Sequence, residues 1–290
     1  MLGATCSWMP GGARVRPWES VARFDLDDER VAVCGDWHGN ASWLRTVVSA
    51  IPVLAPDVRT ILQLGDWWMD AERTDALFQR TGIERVLVTT GNHEPWNRLT
   101  PLMEAHPGRA IRVSAATWIL ARPFRMSIGG REVLSLGGAS SVDRAWRREG
   151  VDWWPDEAIT EGHVEAAVAG GSADLLLTHE SPEGTPVRAV NRILHEDPPS
   201  WPAAALAAST ESRRRVTRVW DAVRPPLLAH GHMHVAGGGK TADGRRVASL
   251  NRDGGEGHLA FLDLASLTMT VPSLREIHAA AQGASSLGYE

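Results

Sequence analysis

Short apolar runs that stop abruptly at polar residues recur along the chain. The first lies in the segment VAVCGDWHGN, residues 31–40, where four apolar residues are followed by a glycine, an aspartate and a histidine. A continuous apolar run of this length predicts a strand that is buried on both faces. The carboxylate of Asp36 and the imidazole of His38 would then lie where a buried strand ends.

The same pattern returns four times, in the segments TILQLGDWW, RVLVTTGNHE, DLLLTHE and PPLLAHGHMH. Helical patterns separate the early strands, in ASWLRTVVSAI after Asn40 and in DALFQRTG before Val86. Strands that alternate with helices are typical of parallel α/β units. We therefore expect five strand ends to converge on one edge.

Two later segments predict antiparallel additions to the sheets. RMSIGGREVLSLGG has the pattern of a hairpin, with Gly129 and Gly130 at its turn. KTADGRRVASL, followed by HLAFLDLASLTMTV, has the pattern of another, with Asp243 and Gly244 at the turn. The fold class that we expect is a mixed α/β architecture.

The chain is long enough for one large core, and we predict a single domain over residues 26–274. Residues 143–172 and 183–222 are rich in charge, proline and tryptophan, and we interpret them as insertions over the site. Residues 1–25 and 275–290 are rich in Gly, Ser and Ala, which predicts a flexible leader and a flexible tail.

Composition narrows the class of protein. The formal net charge of −5 argues against broad electrostatic binding to nucleic acid. The two cysteines, Cys6 and Cys34, provide neither a disulfide framework nor a Cys-based zinc site, and they fit a reducing cytosol. The first residues contain no apolar signal region, and no apolar run is long enough to span a membrane. We expect a cytoplasmic protein without a membrane partner.

Seven polar residues at the strand ends are all carboxylate, amide or imidazole groups. They are Asp36, His38, Asp66, Asn92, His179, His232 and His234. Such a set suits borderline or hard divalent metals, and the lack of thiolate disfavours a purely structural zinc. Two ions about 3.5–4 Å apart, bridged by Asp66, would use all seven and would clamp an in-line displacement at phosphorus.

Five motifs in order resemble those of the calcineurin-like metallophosphoesterases. They are DWH at 36–38, GD at 65–66, GNHE at 91–94, His179, and GHMH at 231–234. Two further stretches, GGASSVDRAWR and VDWWP, resemble uncharacterised bacterial and phage members. The resemblance implies a phosphoester hydrolase built as a two-sheet mixed β-sandwich flanked by helices, in four layers.

The resemblance also implies a role for each motif residue. The first ion would be held by Asp36, His38, Asp66 and His234, and the second by Asp66, Asn92, His179 and His232. A hydroxide bridging the ions would attack phosphorus, and His93 would protonate the leaving oxygen. Four imidazoles among the ligands favour manganese, iron or zinc, with nickel or cobalt as further candidates, over magnesium.

The second motif departs from the pattern of the protein phosphatases in this family. Those enzymes have an Asp three residues after the metal-binding Asp and an Arg next to it, where this chain has Met69 and Asp70. A protein-phosphatase function therefore loses its best support. Either Asp70 or Glu94 is a candidate for orienting His93.

Aromatic and basic residues near the motifs leave two interpretations open. Trp37 and Trp67 directly follow proposed ligands, and they either pack in the core or form walls of the cleft. Arg144, Arg147 and Arg148 either bind a phosphate chain or lie on an exposed helix face. Indoles in the cleft would favour a nucleobase that stacks on them.

Histidines outside the motifs are expected to be structural or on the surface. They are His106, His163, His195 and His258. His230 precedes the glycine at which the backbone turns, so we leave it out of the ligand set.

The function that the sequence predicts is metal-dependent hydrolysis of a phosphomonoester or phosphodiester. The substrate would be a nucleotide, a nucleic-acid end or another small phosphoester, and no protein partner is evident. The alternatives are a protein Ser/Thr phosphatase and a non-catalytic scaffold of the same fold. Such scaffolds usually have gaps among the ligands, and this chain has none.

Overall fold

The computed structural model describes residues 19–196 and 201–286. Its strands are β1 (Glu19–Val21), β2 (Asp25–Leu26), β3 (Arg30–Cys34), β4 (Thr60–Gln63), β5 (Arg85–Val88), β6 (Ala110–Arg112), β7 (Thr117–Ile119), β8 (Phe124–Ile128), β9 (Arg131–Leu136), β10 (Leu175–Thr178), β11 (Leu227–His230), β12 (Gly237–Lys240), β13 (Arg246–Ser249), β14 (Leu259–Asp263) and β15 (Thr268–Thr270). They form two mixed sheets, in the orders β1-β6-β7-β5-β4-β3-β14-β15 and β12-β13-β11-β10-β9-β8-β2.

Helices cover the outer faces of both sheets. The α-helices are α1 (Ala41–Leu54), α2 (Ala71–Arg80), α3 (Trp96–Ala105), α4 (Glu161–Ala169), α5 (Arg188–Asn191), α6 (Ala203–Val223) and α7 (Leu274–Ser286). Two short 3-10 helices lie at Arg144–Trp146 and Pro155–Glu157, and a π-helical turn follows α5 at Arg192–Glu196. None of the helices in the described ranges combines the length and the apolar composition that a membrane span requires.

Three apolar clusters separate the layers. The two sheets pack against each other through residues such as Val33 and Leu62 from the first sheet and Val133 and Leu177 from the second. Helices α1, α2, α3 and α7 cover the first sheet, whereas α4 and α6 cover the second. The predicted four-layer, two-sheet sandwich flanked by helices is confirmed.

The parallel strands at the centre of each sheet position the predicted site. Strands β3, β4 and β5 are parallel neighbours in the first sheet, and β10 and β11 are parallel neighbours in the second. Their carboxyl ends lead into the five motif loops. At the first loop, the Asn40 side chain accepts a hydrogen bond from the Trp43 backbone N–H and begins α1.

Both predicted hairpins are present. Strands β8 and β9 pair in antiparallel fashion, and Gly129 and Gly130, at their turn, have φ values of 55° and 74°, which glycine adopts without steric cost. Strands β12 and β13 also pair in antiparallel fashion around Asp243 and Gly244.

The predicted terminal segments require correction. The predicted tail is wrong over residues 275–286, because they belong to helix α7, which packs on α1 with Ile277 fully buried. The predicted leader is wrong over residues 19–25, because β1 and the first residue of β2 belong to the sheets. The rest of both predictions, residues 1–18 and 287–290, lies outside the described residues. The single domain and its two insertions stay predictions.

Candidate metal centre

The seven side chains predicted at the strand ends lie together. In the first group, Asp36 Oδ2 lies 3.2 Å from His234 Nε2 and 4.0 Å from His38 Nε2. His38 Nε2 also lies 3.6 Å from Asp66 Oδ2. The ligand atoms of Asp36, His38 and His234 are close enough to hold one ion.

The second group forms around His179. Its Nε2 lies 2.9 Å from Asn92 Oδ1 and 3.5 Å from Asp66 Oδ1, and its ring centroid is 4.9 Å from that of His232. His179 Nδ1 donates to the Leu64 carbonyl at 2.6 Å, which turns Nε2 towards Asp66 and lets it donate to Asn92 Oδ1. Asp36, Asp66 and His179 form a second set able to hold an ion, so Asp36 lies close to both groups.

The buried carboxylates at this centre require a positive charge close to them. Asp36 and Asp66 are almost fully buried, and Asp36 Oδ2 has no hydrogen-bond donor. Burial alone would raise the pKa of Asp66, but the His179 and His93 imidazoles outweigh it and hold that pKa well below 3.8. A buried carboxylate oxygen without a donor is costly unless a positive charge faces it. These residues therefore fit a divalent metal site.

His38 is held in place by a carboxylate from a distant loop. Its Nδ1 donates to Asp253 Oδ1 at 2.9 Å, and Asn40 Nδ2 donates to Asp253 Oδ2 at 2.7 Å. Burial would lower the pKa of His38, but hydrogen bonds with Asp253 and Asp66 outweigh it and raise the pKa to about 10. Without a metal, a proton thus supplies the positive charge here, and metal binding would release it.

Asp253 was missed by the sequence analysis, although it has a usable signal. It follows β13 in the segment VASLNRDGG, which repeats the pattern of an apolar strand that runs into polar residues and glycine.

A second chain of contacts holds Asn92, because Asn92 Nδ2 donates to Ser141 Oγ at 2.9 Å and Ser141 Oγ donates to Glu157 Oε2 at 2.6 Å. Burial raises the pKa of Glu157 to about 7.

Left-handed backbone conformations cluster at this centre. Non-glycine residues with positive φ include His38 at 44°, Asp66 at 52°, His232 at 65° and His234 at 52°. Such conformations are uncommon for non-glycine residues and cost on the order of 1–3 kcal/mol each. Four of the seven predicted ligands thus adopt them, which points to a functional constraint on where these side chains lie.

Motif glycines make room for the carboxylates. A Cβ at Gly91 would lie 2.2 Å from Asp66 Oδ1, and a Cβ at Gly231 would lie 2.3 Å from Asp36 Oδ1. Neither distance is possible for non-bonded atoms. Glycine is required at both positions because the two buried carboxylates pack directly against the backbone there.

His93 lies at the edge of the centre. Its backbone N–H donates to Asp66 Oδ1 at 2.9 Å, and Arg147 Nη2 donates to its Nε2 at 3.3 Å. Arg147 also pairs with Asp143 at 2.6 Å. Burial lowers the pKa of His93 to about 4 against the attraction of Asp66, and Arg147 lowers it further.

The two candidates for orienting His93 are engaged elsewhere. The Asp70 side chain accepts from the Arg73 backbone N–H at the start of α2. Glu94 Oε1 accepts from the backbone N–H groups of Gly91 and Trp67 at 3.1 and 3.2 Å. Arg147, from the first predicted insertion, is the side chain that contacts the His93 ring nitrogen.

The tryptophans that follow ligands belong to the core. Trp37 and Trp67 are 0% exposed and stack with ring centroids 5.4 Å apart, so the interpretation that they form walls of the cleft is wrong. Trp68 lies at the centre instead, 5.1 Å from the ring of His38 and 5.6 Å from that of His93.

Three histidines outside the motifs have different surroundings. The His163 ring accepts from the Thr160 backbone at the start of α4, and His258 is buried between Trp37 and Trp43. Both are structural, as expected. His195 is exposed, as expected, and it also lines the cleft beside the metal centre.

A comparison with family profiles places this centre in a known family. The profile described as calcineurin-like phosphoesterase matches residues 29–236. The chain belongs to this family and is a metallophosphoesterase, a phosphoric ester hydrolase. Members usually use a dinuclear metal centre, and the described residues contain candidate ligand groups for one. A comparison with curated proteins gives no match.

A comparison with solved structures finds similar chains at low sequence identity. A protein from Thermus thermophilus is 15% identical, with 84% of this chain and 98% of that chain covered and a TM-score of 0.49. A dimetal phosphatase from Danio rerio is 12% identical, with 82% and 93% covered and a TM-score of 0.49. A 5'-nucleotidase from Candida albicans is 12% identical, with 90% and 57% covered and a TM-score of 0.45.

Proposed function

We propose that the chain hydrolyses a phosphomonoester or phosphodiester at a dinuclear metal centre. The observation that carries this proposal is the pair of buried carboxylates, Asp36 and Asp66, facing imidazoles from the strand ends of both sheets. The substrate class that we propose is a nucleotide, a nucleic-acid end or another small phosphoester.

The proposed ligands follow the two groups of side chains. Asp36, His38, Asp66 and His234 would hold the first ion, and Asp66, Asn92, His179 and His232 the second. Imidazole-rich ligands favour manganese, iron or zinc, with nickel or cobalt as further candidates. When bound, the ions supply Lewis-acid stabilisation of phosphoryl oxygens and an activated water at neutral pH.

Arg147 would bind the phosphoryl group. Its Nη2 contacts His93, which lines the cleft, and its guanidinium pairs with the Asp143 carboxylate and donates to the Asp152 carbonyl. A phosphoryl group is a stronger acceptor for guanidinium than a neutral imidazole, and it can accept two parallel hydrogen bonds. Substrate binding would therefore draw Arg147 from the His93 ring to the phosphate.

His93 would protonate the leaving oxygen. It lines the cleft next to Asn92 and Asp66, and its backbone is fixed by the hydrogen bond to Asp66. A dianionic phosphoryl group beside the ring favours the charged imidazolium. Release of Nε2 from Arg147 would leave that nitrogen facing the substrate.

Two alternatives have less support. A protein Ser/Thr phosphatase would be expected to have an acidic residue at position 69, which is a buried methionine, and Asp70 begins α2. A scaffold without catalysis would not need four residues at costly positive φ values to assemble a complete ligand set.

The first experiment is an activity screen of the manganese-loaded protein against mono-, di- and cyclic phosphoesters. We expect hydrolysis of at least one of these classes, abolished by a chelator and restored by manganese. Lack of hydrolysis of every ester by protein that carries two ions per chain would contradict the proposal and favour the scaffold.

The second experiment tests His93. We expect His93→Ala to lower turnover of an alkyl ester about 10²–10⁴-fold, because a poor leaving group needs a proton. The loss with a nitrophenyl ester should be smaller, and metal content should not change. His106→Ala, outside the motifs, is the matched control. Equal losses on both esters would reject the acid role.

A further inference from the structure

The cleft at the metal centre has an apolar arm. It has a volume of about 420 Å³ and is lined at one end by Asp66, Asn92 and His93. The other end lies between the π-helical turn and the first turns of α6. Its apolar lining consists of Val142, Ile193, Leu194, Trp201, Leu206 and Met233. We refer to this end as the apolar arm.

Two charged residues that line the cleft, Arg213 and Glu183, are already paired with each other. Arg213 is only 6% exposed, and its Nε donates to Glu183 Oε2 at 2.7 Å. Its Nη1 donates to Ser209 Oγ at 2.7 Å and its Nη2 to Thr210 Oγ1 at 3.0 Å. A second phosphate would have to break this buried pair, which is costly because it leaves a buried charge without its partner.

A leaving group that His93 protonates would lie in the same cleft as the apolar arm. His93 lines the same cleft as Leu194 and Leu206. If His93 protonates the leaving oxygen, the carbon substituent on that oxygen extends away from the metal ligands and towards these apolar side chains. Trp201, which lines the arm, also packs against Trp146, and their ring centroids are 5.0 Å apart.

We propose that the apolar arm binds the leaving group of the substrate, and that this group is an uncharged alkyl or aryl alcohol. This inference rests on the proposed phosphoester hydrolysis and narrows its substrate class. A nucleotide or nucleic-acid end would place further phosphates or polar sugar groups against the apolar side chains of the arm and against Arg213, whose charge is already paired with Glu183. An alkyl or aryl group would instead gain from burial against it.

A series of straight-chain alkyl phosphates, from methyl to hexyl, tests the proposal. The bond that breaks is the same throughout, so differences in kcat/KM report binding of the chain. We expect kcat/KM to rise about fourfold per added methylene until the arm is filled, the factor that corresponds to burying one CH₂ group. A flat series in the wild-type protein would overturn the inference and leave the proposed function standing.

Two matched variants locate the effect. Leu206 and Val168 are both 37% exposed and lie on helices, but only Leu206 lines the arm. Leu206→Gln should reduce the gain in kcat/KM between butyl and hexyl phosphate. Val168→Gln should change neither. Equal profiles for the two variants would contradict the assignment of Leu206 to the binding arm.

A binding measurement separates the arm from the chemistry. Hexylphosphonate and methylphosphonate contain a C–P bond that phosphoester hydrolysis does not cleave. Calorimetry should show hexylphosphonate binding more tightly by about the same factor per methylene. If no ester is hydrolysed but this preference is present, the proposed function fails and the apolar arm stands. Equal binding of the two phosphonates, or a preference for a nucleoside diphosphate over hexyl phosphate, would overturn the inference.

Discussion

Replacing Asp253 by Asn should weaken metal binding at the group formed by Asp36, His38 and His234. Asp253 Oδ1 accepts a hydrogen bond from His38 Nδ1 at 2.9 Å and thereby turns His38 Nε2 towards the two buried carboxylates. Loss of an outer carboxylate that orients a ligating histidine typically lowers metal affinity 10–100-fold. We therefore expect a loss of about 1.4–2.8 kcal/mol in binding free energy.

Competition between the protein and a chromophoric chelator, titrated with manganese or zinc, measures this loss. Asp263→Asn is the matched control, because Asp263 accepts hydrogen bonds from Ser266 in an exposed turn away from the centre. Unfolding curves in the presence of chelator should differ little between the two variants. Unchanged metal affinity in Asp253→Asn, or an equal loss in Asp263→Asn, would refute the assignment of Asp253 as a positioning residue.

Three further predictions concern the metal centre and its supporting contacts. Asp66→Asn should lower metal content below two ions per chain with an unchanged circular dichroism spectrum, and full occupancy would contradict a bridging Asp66. Manganese, iron or zinc should sustain hydrolysis after chelation and reloading, whereas a highest rate with magnesium alone would contradict the ligand set. Burial raises the pKa of Glu157 from 4.5 to about 7, so between these values the folded protein holds a proton that the unfolded chain releases. The free energy of unfolding of the wild-type protein, relative to that of Glu157→Gln, should then fall as pH rises through that window, by at most about 1.4 kcal/mol per pH unit. Urea unfolding of both proteins at pH 5 and pH 7 measures this difference. An equal difference at the two pH values would contradict the prediction.

The strand-end residues could be predicted because charged side chains there directly follow buried apolar strands, where burying a charge is unfavourable. A strand such as β3 is buried on both faces, so a carboxylate directly after it has no reason to be there except at a site. Parallel strands then bring their carboxyl ends to one edge, which is why Asp36 and Asp66 could be placed together before the structure was known.

Contacts between distant loops could not be predicted in the same way. Asp253 and Arg147 reach His38 and His93 across 215 and 54 residues of chain, and no local pattern encodes those distances. An irregular loop also has no periodic sequence pattern that shows which way an indole points. From the sequence, Trp37 and Trp67 could therefore face either the core or the cleft. Helix α7 was overlooked because its small residues suggested a flexible tail, although Ile277 anchors it in the core.

Anomalous diffraction from manganese-loaded crystals is the most direct test of a dinuclear centre. We expect two anomalous peaks with Asp66 between them. One should lie beside Asp36, His38 and His234, and the other beside Asn92, His179 and His232. A single peak that Asp66 does not contact, or no peak at these residues, would contradict a dinuclear centre bridged by Asp66.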